Sequence, residues 1–568
     1  MALDKSEENQ SMLRYSSTNY TKVVKVKDVY EDIENNNSCS NLDGSYKVEN
    51  DIIRYTSNRK AVFAQCLVAG AVLLLAAGAG MPIGYSAVLL PQLSVENATV
   101  YTAIIYHRRL ASPSSVRGPL GIGDPQPRII PFVGSPDATP SVHSLATPIG
   151  SLLSGPFLDT LGRRGCLQLS AVPLCLGWIV MGFAKNIPAL LVGRIVSGFA
   201  VGFMGVPSQV LVGETADPEL RGILVASAFA AYSFGILLIY AFGASFEWNV
   251  VAFCGTVLPI VAFISFSFVP ESPAWLVREG KIEKARRALL WLRGGDVEQM
   301  NTEIAILEAR AKLDIGQKSL ATSFGRRVSS TWSTIVSPNV LKPLSIINIF
   351  NALQLSSGTY VIVFYAVDLV RDVGGKNVDS YLAAIITALT RFLFCLLACV
   401  LLLKIGRRSL AIFSAIGTSL ASLVLVAYTL IRKEESDVDA YVLGICLFAY
   451  VGANTVGLFT LPGLMIGELL PQNARGIAGG FNFFIFNFLL FLATKSFPTI
   501  NNAVGITGAF AIFGTSALLE AAFVYVALPE TKNRTLEEIE DYFQQSNLLW
   551  ITRSREQRQN DGIILRHS

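Results

Sequence analysis

LSGPFLDTLGRR, residues 153–164, closes an apolar run with one acid, a glycine and twin arginines, and VLLLKIGRR closes another at 400–408. The pairing does not stop there. GETADPELRG at 213–222 is echoed by GELLPQNARG at 467–476, and PESP at 270–273 by PETK at 529–532. Three matched signals in the same order mean that the chain is written twice. Duplicated halves with matched corners mark a transporter architecture, in which a solute site lies between the halves near the bilayer midplane.

The surroundings of these corners are lipid-compatible. The 568 residues are 52% hydrophobic and 15% charged, and the mean hydropathy is +0.47, which leaves too little polar surface for a soluble protein. Apolar runs long enough to cross about 30 Å of hydrocarbon recur throughout. They predict an all-α membrane protein of twelve spans in two six-helix halves: 61–90, 142–161, 166–184, 189–213, 223–243 and 250–269, then 344–367, 380–403, 409–431, 440–466, 476–497 and 504–528. The domain plan is a polar N-terminal tail at 1–60, a first bundle at 61–269, a linker at 270–343, a second bundle at 344–528 and a tail at 529–568. The first tail reads as a disordered cytosolic segment that lacks an apolar signal core, and the last as a cytosolic tail. In the linker, Ile282, Ala285, Leu289 and Leu292 stand at helical spacing opposite lysines and arginines, as in a cytoplasmic amphipathic helix.

Orientation follows from the short loops, because lysine and arginine are retained on the cytoplasmic side during insertion. Arg163, Arg164, Arg221, Arg407, Arg408 and Arg475 all fall on one side of an even-span count, which places both termini inside, in a plasma-membrane protein. One segment breaks the pattern. Residues 95–140 are rich in proline and arginine and read as an extracellular loop inserted after the first span, of the kind an unspliced intron produces. Asn97, in N-A-T, is a glycosylation acceptor on that side.

Several chemistries are excluded. The eight cysteines lie mostly within spans without metal-ligand spacing, and His107, His143 and His567 are scattered. No cofactor, metal or nucleic-acid signal is present, and no nucleophile, base and oxyanion set can be assembled, so an enzyme is not expected.

Six stretches in order, GPFLDTLGRR, GRIVSG, GETADPELRG, PESPAWLVREGK, GELLPQNARG and PETKNRTLEEIE, resemble the signature set of the sugar porters of the major facilitator superfamily. PSQV at 207–210 and ATKSF at 493–497 are similar to the facilitated trehalose transporter branch. The resemblance implies a facilitator of trehalose or a hexose working by alternating access, with a small sugar and the lipid bilayer as its partners; it leaves the oligomeric state open. It also implies an inner latch made by Asp159, Arg163, Arg164, Glu214 and Arg221 of the first half with Arg407, Arg408, Glu468 and Arg475 of the second. Leu403 stands where the second half would repeat Asp159. Simple positive-inside anchoring is the alternative, although anchoring needs no acids. Glu271 and Glu530 are ion-pair partners or helix caps.

The sugar pocket departs from the family pattern. Gln354 matches the seventh-span amide motif, but Leu355 and Tyr360 do not; Phe229 stands where the fifth span commonly carries glutamine, and Gly463 replaces a tenth-span tryptophan. Gln354, Tyr360, Asn487, Thr460 and Tyr232 are the candidate lining residues, with packing as the competing role for each. Arg391 and Glu520 are mid-span charges, candidates for function or for a structural pair with each other. Proton-coupled sugar porters carry an acid in the first span, and none lies between Lys60 and Glu96, so uniport is expected. A non-transporting nutrient receptor of the same fold, or a transporter of a non-sugar organic solute, is the alternative function.

Overall fold

The computed structural model of the chain describes residues 59–110, 138–318, 336–365, 380–431, 437–471, 474–532, 534, 539 and 542–543. Among these residues the regular structure is entirely helical. The first half consists of α1 (Arg59–Leu110), α2 (Ala138–Leu161), α3 (Arg163–Gly182), α4 (Ile187–Thr215), α5 (Pro218–Ser245), and a sixth span divided at Thr256 into α6 (Trp248–Gly255) and α7 (Val257–Phe268). The starts are chemically marked. Asn186 caps α4 by accepting the Ala189 N–H at 2.9 Å, with a proline in the first turn.

The second half repeats the plan. Its seventh span is broken into α11 (Pro338–Ser356) and α12 (Val361–Phe364), followed by α13 (Ser380–Lys404) and α14 (Arg407–Ile431). The tenth span runs through α15 (Asp437–Asn454), a π-helical turn at Thr455–Phe459 and α16 (Leu461–Leu469). The last helix, α17 (Arg475–Ala527), departs from helical dihedrals at Gly505, where φ is +69°; this residue divides the eleventh span from the twelfth.

Nine of these helical stretches, among the described residues, are long and apolar enough to cross a bilayer, and the last holds two spans. With α2 and the broken seventh span the count reaches twelve. Large apolar side chains point outward, Phe268 at 79% and Phe413 at 74% exposure, an arrangement that only a lipid environment tolerates on this scale.

Two compact units divide the chain. One holds Leu276–Lys318 with the described residues up to Cys66, and the other holds the rest of the helical bundle. In the former, α9 (Ile282–Leu292) buries Ala285, Leu289 and Leu292, on the face that the amphipathic spacing predicts. Arg293 grips Glu303 of α10 (Val297–Lys318) through two hydrogen bonds of 2.6 and 2.9 Å. A short helix, α8 (Pro273–Arg278), leads into it.

Within the bundle the halves meet along two seams. On one, α17 of the second half lies against α2, with the Asn487 amide donating to Ser151 Oγ at 3.1 Å; Phe483 packs on Leu158, Cys166, Phe203 and Val206. On the other, α5 lies against α13, with Phe234 and Phe392 rings 5.3 Å apart and Ser233 Oγ 3.4 Å from Cys395 Sγ.

The inserted segment differs from its sequence reading in part. Residues 95–110, expected to be loop, continue α1 as helix, because no glycine or proline interrupts Val95–Leu110 and the prolines begin only at Pro113. Residues 111–137 lie outside the described residues, as do the side chain of Asn97 and the tails at 1–58 and 544–568.

Candidate functional site

The arginine corners form two charge clusters of matching composition. In the first half, Arg163 begins α3 and its guanidinium binds Glu214 near the end of α4, with contacts of 2.9 and 3.0 Å. Glu271, just past α7, accepts the backbone N–H groups of Arg163 and Arg164 at 2.9 and 3.1 Å, and so caps α3 at its positive end. Ser272 donates its hydroxyl to Glu214, and Arg164 reaches the Val269 carbonyl at 3.0 Å.

The second half repeats the ion pair, the carboxylate cap and the hydroxyl donor. Arg407 begins α14 and binds Glu468 of α16 at 3.1 Å. Glu530 accepts the N–H groups of Arg407 and Arg408 at 2.9 and 3.2 Å, and Thr531 donates its hydroxyl to Glu468 at 2.5 Å, as Ser272 does to Glu214. Arg408 donates to the Tyr525 carbonyl at 2.5 Å and lies over that residue's ring. The choice left open for Glu271 and Glu530 resolves to the helix cap.

Both ion pairs close inside a single half. Glu468 bonds Arg407 and Thr531, whereas the sequence reading had the acids and arginines of one half facing those of the other. Across the halves, Gly222 on α5 lies beside Arg407: a Cβ added there would be 3.6 Å from its Nη2. Asp159 is exposed, and its backbone carbonyl accepts Trp275 Nε1 at 3.0 Å. Arg221 lies in the first turns of α5 and Arg475 opens α17, its side chain outside the described residues.

The centre of the bundle is aromatic. Phe459, in the π-turn of the tenth span, packs against Phe229 at 5.8 Å, Tyr232 at 6.4 Å and Tyr360 at 5.6 Å, and Tyr360 meets Phe486 at 5.5 Å. Of the candidate lining residues, Tyr232, Tyr360 and Thr460 therefore converge on Phe459, Thr460 as its chain neighbour. Gln354 is buried with Oε1 lacking a partner. Asn487 is committed elsewhere, its amide hydrogens bonded to Ser151 Oγ and to the Phe483 carbonyl at 2.8 Å.

The two family departures prove to be one. A Cβ at Gly463 would overlap Phe229 Cζ, so the phenylalanine ring of the fifth span occupies the space that a larger residue at 463 would need. Sequence reading treats them as separate losses, because nothing in the sequence says that 229 and 463 touch.

The break in the seventh span is the feature that sequence reasoning missed. Gly358 adopts φ +80° between α11 and α12, and the hydroxyls of Ser357 and Thr359 both bond back to the Gln354 carbonyl, at 2.7 and 3.1 Å. The signal was present in SSGT at 356–359. Arg391 donates to the Thr359 carbonyl at 2.8 Å and lies 5.1 Å above the Phe459 ring. It does not pair with Glu520, neither of whose carboxylate oxygens has a hydrogen-bond partner.

Arg194, like Arg391, is fully buried within the bundle. Arg194 of α4 donates to the Pro82 carbonyl and to Ser86 Oγ at 2.8 Å, and lies over the Tyr85 ring, all three on α1. Every acceptor it uses there is neutral.

Comparison with known proteins fits this architecture. The family described as "Sugar (and other) transporter" matches residues 137–543. The facilitated trehalose transporter Tret1 of Drosophila mojavensis is 31% identical over 471 residues, covering 79% of this chain and 53% of that protein. The Tret1-2 homolog of Drosophila simulans is 32% identical over 406 residues, covering 70% of this chain and 80% of that one. The chain belongs to the sugar porter family of the major facilitator superfamily. It spans about half the length of the first of these relatives. Among solved structures, the proton:xylose symporter XylE bound to 6-bromo-6-deoxy-D-glucose shares the fold, with a TM-score of 0.65 at 21% identity over 84% of this chain and 99% of that one. Family members are transporters, in keeping with the absence of catalytic machinery expected from the sequence.

Proposed function

We propose that the protein is a facilitator that carries a small sugar, trehalose or a hexose, across the membrane by alternating access. The observation that supports it most is the duplicated corner. Each half holds its arginine-bearing ends together with the same Arg–Glu pair, the same capping glutamate and the same hydroxyl donor, so each half is built to move as a unit. In this reading the corners are cytoplasmic and form the inner latch. They stiffen their own half, and Arg407 lies beside Gly222 of the other half.

Uniport is favoured by the surroundings of Arg194. The first span offers it a carbonyl, a hydroxyl and a ring, none of which exchanges a proton during transport at physiological pH. The central lining consists of Gln354, Tyr360, Thr460 and Tyr232, with Asn487 at the seam between the halves.

The test is uptake of labelled trehalose, glucose and fructose into proteoliposomes, with and without a pH gradient. Saturable flux that ignores the gradient is expected. Dependence on the gradient would remove uniport, and absence of flux for all three sugars would remove the neutral-sugar reading in favour of a receptor or a carrier of another solute.

A further inference from the structure

Arg391 is poorly explained by packing. It stands midway along α13, 2% exposed, where an uncompensated charge costs several kcal/mol by the scales for membrane insertion. A buried arginine in such a place normally has its donors satisfied by an acid or by backbone carbonyls. Here its protein partners are the Thr359 carbonyl and the face of Phe459, both neutral, and Nη1 has no hydrogen-bond partner. Glu520, the other buried mid-span charge of this half, does not supply one.

Its position is as informative as its isolation. Thr359 lies in the break of the seventh span, and discontinuous helices form the solute sites of transporters because their free backbone groups line a cavity. Phe459 belongs to the aromatic cluster in which Phe229 and Tyr232 of the first half meet Tyr360 of the second. The guanidinium therefore borders the surface where the halves meet. Gln354 Oε1, an acceptor without a partner, lies on the same broken span. The platform that a tryptophan at 463 would have offered is filled by Phe229.

We infer that Arg391 receives a carboxylate of the transported solute, so that the central site takes an anionic, hydroxylated ring such as a hexuronate. The inference rests on the reading of the chain as a facilitator and replaces the uncharged sugars of that reading with an acidic one. A carboxylate supplies the charge that the closed site lacks and accepts the Nη1 hydrogens, while ring hydroxyls donate to Gln354 and the ring packs on the aromatic side chains. No bond is made or broken; the solute binds, the halves rock and it leaves. Uniport of a monoanion moves one negative charge, which neutral-sugar uniport does not.

The experiment compares glucuronate with glucose, which differ by one carboxylate, using the full chain in proteoliposomes. Labelled glucuronate uptake is expected to be saturable and to be inhibited by unlabelled glucuronate. With external potassium about tenfold above internal and valinomycin present, the lumen becomes positive, and glucuronate should accumulate roughly tenfold while glucose does not. Arg391→Gln keeps a donor for the Thr359 carbonyl and removes the charge. It should lower the ratio of glucuronate to glucose kcat/KM by about tenfold or more, and Arg391→Lys should restore part of it. Glucose transport without glucuronate flux or competition would overturn the anion site and leave the facilitator standing. Transport of neither solute by monodisperse, thermally stable protein would overturn both. An equal loss for both solutes in Arg391→Gln would assign Arg391 to support of the helix break and sink the inference. If that variant does not fold, the potential dependence of the wild-type protein decides alone.

Discussion

At Glu271 a single carboxylate accepts four backbone N–H groups, those of Arg163, Arg164, Gly165 and Ser272, the last at 2.8 Å. Glu530 likewise accepts four, from Arg407, Arg408, Thr531 and Lys532. Removing the acceptor leaves the first turn of α3 or α14 uncapped beside an arginine pair, so Glu271→Ala and Glu530→Ala should each cost about 1–3 kcal/mol, measured by thermal unfolding in detergent. Equal losses are expected because the clusters are copies. Phe229 and Gly463 give a second test. Gly463→Trp alone should destabilise the protein, since Phe229 already fills the space, and Phe229→Ala in the same chain should recover most of the loss. A simple sum of the two single effects would show that the residues do not compete for one volume.

Among the elements, the broken seventh span is the most exposed to a single change. Gly358→Ala adds a Cβ at φ +80°, about 2.7 Å from the Phe513 ring, so it strains the backbone and the packing together. Transport should fall by at least about tenfold at temperatures where the protein remains folded, measured as initial sugar flux. The span itself was legible in the sequence as an apolar run; its interruption was signalled only by one glycine between hydroxyl residues. The charge corners were legible as motifs because insertion sorts arginines to one side and acids need partners there. Which acid meets which arginine was not legible, because both clusters use the same residue types, and intra-half and cross-half pairing satisfy the spacing equally. Residues 95–110 were read as loop by association with the prolines that follow, although the stretch itself contains no helix breaker.

For the whole molecule, the duplicated plan requires both arginine corners to face one side of the bilayer. Thr160→Cys and Lys404→Cys, at exposed positions beside the two corners, should react with an impermeant thiol reagent from the same side of sealed vesicles. Labelling from opposite sides would dismantle the two-fold architecture and with it the rocking mechanism. If the protein alternates, the seam at Ser151 and Asn487 must also change. Ser151→Cys with Asn487→Cys, oxidised to a disulfide, should stop sugar flux, and reduction should restore it, with the native chain treated identically as control.

The corner at Gly505 bears on where such movement originates. Only this residue leaves the helical path between Arg475 and Ala527, so the eleventh and twelfth spans are joined by a stiff elbow with no slack to let one slide past the other. Whatever displaces the eleventh span, which carries Asn487 to the seam, must drag the twelfth along. Compliance in this half then belongs to the interrupted seventh span and the π-turn of the tenth, the two places where the backbone hydrogen-bond ladder is already out of step.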